Sequence, residues 1–360
     1  MLRNSSRSIA ARATGILAVA LLASTLAVAG EEGDSHRIPL VLTSTNDPAS
    51  NQVLVFQLTT SGTPALSLVQ SLATRGNGGA GGNAGILQMR EDFGAVANFG
   101  SNTVSELVRD GDSIAVRDVI TLAPGCLKPD SVALTDGQLF VAGTTCVESH
   151  AWPSGTLDGS IVHLGDPSAA QVAVGDTWGA VTMTSGSVLQ LGLTRSGALN
   201  GSATPVTLPS SASDTPLGAA FWGDVLGFTP AHSPDSFAIV DAQRNVYPVV
   251  GPTPPYPTNA PCWVAKGPGN IWYTGNSPGQ AISIFFSDGK GGAFYKSVPL
   301  PGVPTDVTVS ADGKWLAVIY TANSSGYVSV FAIDAYGDLS PEATSEPVGV
   351  AAFSGVAISQ

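Results

Sequence analysis

The stretch that decides the fold is Asp306-Val-Thr-Val-Ser-Ala-Asp-Gly-Lys-Trp-Leu-Ala-Val-Ile-Tyr320, followed after a polar loop by Tyr327-Val-Ser-Val-Phe-Ala-Ile333. Strand-forming residues lie on both sides of Ala311-Asp312-Gly313-Lys314, where Asp-Gly supplies the positive φ of a tight hairpin turn. A second turn at 334–337 follows the third strand, and a weaker fourth strand comes after it. The segment therefore predicts one unit of four antiparallel strands.

Units of the same kind recur upstream at regular intervals. The predicted first strands begin near residues 85, 131, 178, 217, 262 and 306. A period of roughly 40–50 residues with four strands per unit is typical of β-propeller blades. No stretch carries the 3.6-residue apolar period of a helix, so the sequence predicts an all-β chain.

The two ends of the chain supply one further unit. Residues 39–44 have the pattern of a second strand and 51–58 that of a third, whereas 354–359 matches a first strand. We therefore expect 354–359 to pair beside 39–44, closing a seven-bladed β-propeller of four-stranded blades over 38–360 and hiding the sheet edges. The alternative, two β-sandwich domains, explains neither the even spacing nor the complementary ends.

Residues 1–29 have the organisation of a secretion signal peptide. Three arginines precede an apolar run over 15–29, which ends in the small-x-small pattern Ala27-Val28-Ala29. The run is shorter than the ~20 apolar residues of a membrane span. We expect cleavage after Ala29, a flexible segment over 30–37, and a secreted or periplasmic protein with no membrane span.

The charge of the chain argues against nucleic acid as a partner. Removing residues 1–29 takes away three Arg and no acid, leaving 12 Lys and Arg against 27 Asp and Glu, a formal charge of −15. A chain this acidic repels phosphate backbones. Charged residues make up only 12% of the chain and Gly is abundant, which favours short strands joined by tight turns.

Four segments of the chain resemble the β-propeller lactonase-fold family, which includes phosphogluconolactonase-like and carboxymuconate-cyclase-like proteins. They are Thr45–Phe56, Ala95–Leu107, Ala260–Val264 and Ser310–Ile333. The resemblance covers most of 38–360 and is more specific for the fold than for the activity, because one fold hosts many functions. It implies lactone chemistry and a set of His, Arg and carboxylate side chains near the mouth of the central channel.

Candidate catalytic residues follow from that implied set. In a propeller, ligands usually bind on the face that carries the loops between blades and between second and third strands; the hairpin turns, with Arg90, lie on the other face. The nearest approximation to the family's set is His150 with Glu148 and Arg75, joined by Asp130. A base would activate water and a cation would hold the oxyanion. The alternative is that His150 is a loop histidine in a long solvated insert over 144–158.

Three further residues are candidate ligand-binding groups. Asn83, Asp130 and Asp306 offer oxygens from separate loops, which is how a calcium ion could be held in the channel. The alternative for the two aspartates is a carboxylate that caps the start of an inner strand. Active relatives carry a His near 82–84, where this chain has Gly-Asn-Ala.

Three functions remain open at this point. The first is a degenerate lactonase-fold protein that binds a small acid, a lactone, a sugar derivative or a protein partner over the channel without turnover. The second is an active extracytoplasmic lactonase or cyclo-isomerase, and the third is a structural, surface-interaction propeller. We expect no cofactor, with calcium in the channel as the alternative, and we expect a monomer.

The three cysteines suggest one disulfide. Cys126 lies in the loop that enters the predicted first strand near residue 131. Cys146 lies after the second strand of the same blade. Both loops flank one hairpin and share a face, so a Cα separation of about 5–6 Å is reachable. An oxidising compartment permits the bond. Cys262 starts a strand three blades further on, and we expect it to be a buried free thiol.

Overall fold

Strands form nearly all of the regular structure. The computed structural model describes residues 37–81, 84–233, 236–250, 260–348 and 353–360. Two short 3-10 turns, Phe99–Ser101 and Ser210–Ala212, are the only helical elements in these ranges, so the all-β prediction is confirmed. Within the same ranges, no helix has the length and apolarity needed to cross a membrane. The predicted signal peptide and Asn83 lie outside the described residues.

The strands are numbered in chain order. Their bounds are β1 Leu40–Ser44, β2 Gln52–Thr59, β3 Ala65–Ala73, β4 Leu87–Arg90, β5 Phe93–Asn98, β6 Thr103–Asp110, β7 Ser113–Thr121, β8 Pro129–Leu134, β9 Gln138–Gly143, β10 Cys146–Ala151, β11 Thr156–His163, β12 Ala169–Val174, β13 Trp178–Met183, β14 Ser187–Leu193, β15 Leu199–Pro205, β16 Pro216–Trp222, β17 Val225–Pro230, β18 Ser236–Val240, β19 Val246–Val250, β20 Pro261–Lys266, β21 Ile271–Asn276, β22 Ala281–Ser287, β23 Gly292–Pro299, β24 Val303–Val309, β25 Trp315–Ala322, β26 Ser325–Ile333, β27 Leu339–Thr344 and β28 Ser354–Ser359.

The strands pair in antiparallel groups of four, the arrangement of β-propeller blades. Four-stranded sheets have the orders β28-β1-β2-β3, β4 to β7, β16 to β19, β20 to β23 and β24 to β27. The groups β8 to β11 and β12 to β15 share one eight-stranded sheet, because β11 and β15 pair in parallel at their outer edges. Gly159 permits this contact, since a Cβ there would lie 2.4 Å from the Leu199 carbonyl oxygen.

The last strand of the chain lies beside the first. β28 pairs antiparallel with β1, with Leu42 opposite Ala357, and β1 pairs in turn with β2. The Thr43 hydroxyl adds a hydrogen bond of 2.8 Å to the Gly355 carbonyl. The pairing leaves neither terminal strand with an open edge on that side.

The first strand of each group contacts the first strand of the next. These contacts run from β4 to β8, β12, β16, β20, β24 and β28, and from β28 back to β4. Core side chains fill the space between successive sheets, so the second strands β9, β13 and β21 are buried along their whole length. A strand covered on both faces has a continuous apolar run rather than an alternating pattern.

One predicted blade start is wrong by a strand. The sequence placed a first strand near residue 178, but Ala169–Val174 is the first strand and Trp178–Met183 is the second. Both strands are short, apolar and joined by a tight turn, and both are largely buried. Local pattern therefore cannot tell which of the two faces the channel.

A β-bulge recurs near the start of the first strands. The pairing with the second strand shifts register at Asp130 in β8, Ala170 in β12, Cys262 in β20 and Thr305 in β24, and β16 and β28 shift at corresponding places. A bulge re-aims the side chains around it. In this chain it sets the direction of the polar residues described next.

Candidate functional site

One cavity among the described residues lies between the first strands of the blades. Its volume is about 690 Å³, and every one of the seven first strands contributes to its wall. The lining residues are Gly85, 87–92, 133–134, Gln171, 173–174, 219–221, 264–266, 306–309, Ala311 and 356–360, together with Arg37. The channel wall combines apolar side chains such as Leu87 and Val174 with many polar and charged groups.

The cavity reaches the hairpin turns, on the face opposite to the one where the sequence analysis expected a ligand. Its lining residues run from the bulges to the hairpin turns, and they include Arg90 on the first turn. On the other side, the bulge residues Ala170 and Leu217 pack with Ala231, and Cys262 packs against them. Arg90, which the sequence analysis placed on the face without a site, therefore lines the cavity.

Polar residues one position after a bulge bridge neighbouring first strands. The Ser131 hydroxyl accepts a hydrogen bond of 3.2 Å from the Val172 N–H, and the Gln171 Oε1 accepts one of 2.7 Å from the Ala219 N–H. Asp306 is placed in the same way, because its Oδ2 accepts from the Val356 N–H at 3.3 Å. The same position thus ties three pairs of blades together.

Two glutamines in the wall use the side-chain oxygen in a hydrogen bond but not the side-chain nitrogen. Gln171 holds Ala219 through Oε1, and the Gln88 Oε1 accepts a hydrogen bond of 3.3 Å from the Leu134 N–H. Neither Nε2 group donates to another described residue. A primary amide has two donor hydrogens on this nitrogen, so each side chain can bind a hydroxyl or carbonyl oxygen in the channel.

Asp306 is the carboxylate set into the channel wall. It is only 5% exposed, and its Oδ1 accepts a hydrogen bond of 2.8 Å from the Val307 N–H. Burial raises the pKa of Asp306 to about 7, although hydrogen bonds from the backbone of Val307, Val356 and Gly85 oppose that rise. The predicted ligand-binding aspartate therefore does line the cavity, and it also joins three first strands.

The charged residues at the open end are largely paired. Arg37 forms an ion pair with Asp92, and the Arg90 Nε donates to the Asp136 Oδ1 at 2.7 Å. Lys266 lies with its ammonium 5.0 Å from the Trp222 ring centroid and donates to the Gly269 carbonyl at 2.6 Å. Burial lowers the pKa of Lys266 to about 8. The opening therefore has little net charge.

His150 and Glu148 are neither in a loop nor in a solvated insert. Both lie on β10, at 2% and 0% exposure, and the His150 Nε2 is 2.9 Å from the Glu148 Oε1. The His150 Nδ1 is 3.0 Å from the Gly155 carbonyl oxygen, and the Glu148 Oε2 accepts from the Ala123 N–H at 3.1 Å. Each ring nitrogen of His150 thus lies within hydrogen-bond distance of an oxygen. The prediction of a solvated insert over 144–158 is wrong because β10 and β11 form a hairpin there, with a bulge between Val147 and Ser149.

A second buried acid lies in the same region, on the neighbouring sheet. Glu106 is 1% exposed, and Arg117 donates to its Oε2 through Nε at 3.0 Å and Nη2 at 2.6 Å. Burial raises the pKa of Glu106, and Arg117 and His150 act against that rise. The Arg117 guanidinium also lies 5.5 Å from the Trp152 ring centroid. These contacts join two neighbouring blades away from the channel.

The remaining predicted residues lie at different depths. Arg75 follows the outer strand β3 and donates from Nη2 to the Val116 carbonyl at 3.1 Å, so it bridges two outer strands. Asp130 is 2% exposed at the bulge of β8. Neither Arg75 nor His150 is among the residues lining the cavity, whereas Asp306 is. The structure therefore does not bring the predicted catalytic set to the channel.

The disulfide prediction is confirmed. Cys126 and Cys146 are bonded, with a Cα separation of 5.4 Å. Their sulfurs lie near Glu148, the only such group among the described residues with metal-ligand spacing, but bonded sulfurs are not thiolates. Cys262 is free as predicted, half-buried rather than buried, and burial raises its pKa to about 11.

Comparisons with known proteins show the fold. Protein-family models give no match, and neither do curated proteins. Among solved structures, the chain is similar to a functionally unknown protein from Desulfotomaculum acetoxidans, with 13% identity over 90% of this chain and 99% of that one and a TM-score of 0.68. It is also similar to the periplasmic gluconolactonase of Pseudomonas aeruginosa, with 14% identity, the same coverage and a TM-score of 0.65.

A third solved structure has a different activity. Virginiamycin B lyase from Staphylococcus aureus is 14% identical over 78% of this chain and 94% of its own, with a TM-score of 0.54. The chain therefore shares its fold with these three structures, and the resemblance seen in the sequence is confirmed for the fold alone. Identities this low show no particular activity for this chain.

Sequence reasoning missed Gln88 and Gln171. Both lie on first strands whose other channel-facing residues are mainly apolar. A polar residue at the same place in several repeats was the available signal, since Ser131, Gln171 and Asp306 each follow a bulge. This signal was not recognised because the first strand of that blade was predicted near residue 178, which left Gln171 outside any predicted first strand.

Proposed function

We propose that this chain is a secreted or periplasmic seven-bladed propeller that binds a neutral, hydroxyl-bearing small molecule, such as a sugar lactone, in its central channel without turnover. The observation that carries the proposal is the 690 Å³ cavity with Gln88, Gln171 and Asp306 in its wall. The seven-fold count and the closure of the ring are supported by the circle of contacts between first strands and by the β28–β1 pair.

The size and polarity of the cavity support a small neutral ligand. Small-molecule sites typically measure ~300–1,000 Å³ and combine apolar walls with a few placed polar groups. The two glutamine amides can donate to ring or carbonyl oxygens, and apolar side chains such as Leu87 and Val174 can cover part of the carbon skeleton. Because the arginines at the opening are paired with aspartates, an open acid has less to gain there than an uncharged lactone.

Binding without turnover is supported by the surroundings of the ionisable groups. No histidine is among the described residues lining the cavity, and both oxygens of Asp306 accept backbone hydrogen bonds. An active lactonase remains the second candidate, because a carboxyl with a pKa of about 7 is suited to act as a general base. The set of His150, Arg75 and Glu148 is the other base assignment that this candidate allows.

A lactone screen tests the proposal. Glucono-δ-lactone, galactono-γ-lactone and their open acids would be titrated calorimetrically, and hydrolysis would be followed with and without EDTA to test for calcium held by Asn83, Asp130 and Asp306. We expect lactone binding without hydrolysis, weakened about fivefold or more in Gln171→Leu, the range for one lost hydrogen bond. Gln190→Leu, on the third strand of the same blade, is the matched control.

Two outcomes would overturn the proposal. The first is the absence of binding to every probe, or binding that Gln171→Leu leaves unchanged. The second is rapid hydrolysis that His150→Ala or Asp306→Asn abolishes, which would establish the active lactonase. Secretion is tested separately: mass spectrometry of the exported protein should find Gly30 as the first residue, and an intact Met1 would refute it.

A further inference from the structure

A second cavity lies at the boundary between two neighbouring blades, away from the channel. It measures about 430 Å³ and is lined by residues of the sheet β20 to β23 and of the turn between β26 and β27. Its wall combines apolar Ile271, Phe286 and Ala335 with polar Asn270 and Asp338, and two tyrosines, Tyr295 and Tyr336, complete it. We call these residues the tyrosine groove.

The tyrosines of the groove are unusually exposed for large side chains. Tyr336 is 78% exposed and Tyr295 is 46% exposed. Exposed aromatic rings that flank a concavity mark a binding site more often than scattered exposed residues do. A ligand bound in the groove would therefore contact the faces of the tyrosine rings.

The turn that carries Tyr336 is rigid. The Asp334 Oδ1 accepts hydrogen bonds from the N–H groups of Tyr336 at 2.8 Å and Asp338 at 2.9 Å, and the buried Tyr273 hydroxyl donates to the Gly337 carbonyl at 2.9 Å. Gly337 has a φ of +83°, and a Cβ there would lie 2.3 Å from the Ile271 Cδ1. The exposed Tyr336 ring is thus carried by a turn that these contacts hold against Ile271 and Tyr273.

The second tyrosine is braced as well, and the charges beside it are paired. The Tyr295 ring lies 5.2 Å from the Phe286 ring, centroid to centroid. The Lys296 Nζ is 2.8 Å from the Asp338 Oδ1 and 5.4 Å from the Tyr295 ring centroid. Two preorganised rings therefore flank a groove in which Lys296 and Asp338 pair with each other, and fixed rings lower the entropy lost on binding.

We propose that the tyrosine groove binds a neutral saccharide. A sugar ring has an apolar face of C–H groups that can lie against Tyr295 or Tyr336, and hydroxyls that can bond to the exposed Asn270 amide and the Asp338 carboxylate. The volume is that of a small-molecule site. Protein partners need about 800 Å² on each side, and the paired charges favour an uncharged ligand. The site is separate from the channel and independent of the function proposed for it.

Affinity gel electrophoresis tests this site. The full mature chain would run in native gels with and without soluble β-glucan, xylan or mannan, beside Tyr336→Ala, Tyr295→Ala and Tyr336→Phe. We expect at least one polysaccharide to retard the wild-type chain, the two alanine variants to lose most of the retardation, and Tyr336→Phe to keep it because the ring remains. Trp222→Ala, which removes another exposed aromatic residue, is the matched control.

The outcomes are unambiguous because both tyrosines are exposed and their removal leaves the core intact. Retardation that disappears in both alanine variants and persists in Trp222→Ala supports the saccharide site. Unretarded wild-type protein with every polysaccharide overturns it, as does retardation that the alanine variants retain. If the groove instead binds a protein partner, none of the polysaccharides should retard the wild-type chain.

Discussion

At the scale of single residues, three polar side chains that follow a bulge hold neighbouring first strands together. Ser131, Gln171 and Asp306 hold the next first strand by its N–H. Gln171 does so with its side-chain carbonyl oxygen, so its amide nitrogen is not used in this contact. Structural and ligand-binding roles can therefore coexist in one residue, because an amide has separate donor and acceptor atoms.

Asp306 should make stability depend on pH. Burial raises its folded-state pKa from 3.8 to about 7, so between these values the folded chain holds a proton that the unfolded chain has lost. Its contribution to the free energy of unfolding is complete below pH 4. It falls by up to about 4 kcal/mol as the pH rises to 7, at 1.36 kcal/mol per pKa unit. Urea denaturation of Asp306→Asn across this range should show that decline removed.

The control for Asp306 is an aspartate on a hairpin turn. Hydrogen bonds to Ser310 and Lys314 outweigh the effect of burial and lower the pKa of Asp312 to about 2, so its titration lies outside the tested range. Asp312→Asn should therefore keep the wild-type decline between pH 4 and 7. An unchanged decline in Asp306→Asn would show that another group is responsible.

Replacing His150 should lower the free energy of unfolding, because it removes a buried partner of Glu148. His150→Ala leaves Glu148 at 0% exposure without its 2.9 Å contact. Breaking a buried pair in this way costs about 3–5 kcal/mol. Chemical denaturation should show this loss, whereas His163→Gln, an exposed histidine on β11, should change stability little. If His150→Ala is as stable as wild type, the contact is not structural and the catalytic assignment gains support.

At the scale of elements, the blade β8 to β11 is the one held by a covalent bond. Cys126 precedes β8 and Cys146 begins β10, so the disulfide joins the two ends of the β8–β9 hairpin. Glu148 lies two residues further along β10 and receives the Ala123 N–H. The bond and the buried acid therefore anchor the same inter-blade connection.

Removing the disulfide should lower the free energy of unfolding. Cys126→Ser with Cys146→Ser frees a loop with a sequence separation of 20. Constraint of the unfolded chain by a loop of this size corresponds to about 3 kcal/mol. Urea denaturation would measure the loss, and Cys262→Ser is the control because its thiol is free. Equal stability of the double variant and wild type would contradict the expectation.

At the scale of the whole molecule, one buried arginine joins the two ends of the chain to a neighbouring blade. Arg109 on β6 is 4% exposed and donates to the Ile38 carbonyl at 2.7 Å and the Ser359 hydroxyl at 3.2 Å. A third hydrogen bond of 2.8 Å goes to the Gly111 carbonyl. The side chain therefore secures the pairing of β1 with β28.

Arg109→Met should loosen the termini before the rest of the ring. Methionine fills much of the same volume but cannot donate, so the oxygens that Arg109 satisfied lose their partner, at a cost of about 1–3 kcal/mol each if they stay buried. Hydrogen–deuterium exchange should accelerate first in 40–44 and 354–359, and less in β12 to β15. Arg195→Met, at an exposed arginine, should leave the exchange unchanged. Uniform acceleration throughout the chain would argue against a local role.

Much of this architecture could be predicted from the sequence by itself. Asp312-Gly313 and the other turns are local signals, because a positive φ is available to few residues. The strand patterns between them, repeated at an even spacing, predict four-stranded blades and complementary ends. The Cys126–Cys146 pairing also followed, since both residues flank one hairpin whose strand length determines the distance between its ends.

The candidate site was decided by the tertiary structure. Whether His150 is a loop residue or a buried partner of Glu148 depends on the neighbouring strand and blade, which no local pattern encodes. The same holds for Gln171, whose place in the channel depends on which of two similar strands is innermost. Tyr295 and Tyr336 are far apart in sequence and share a groove only because two blades pack side by side. Strand and turn preferences are short-range, whereas burial, pKa and the meeting of side chains are set by contacts between distant parts of the chain.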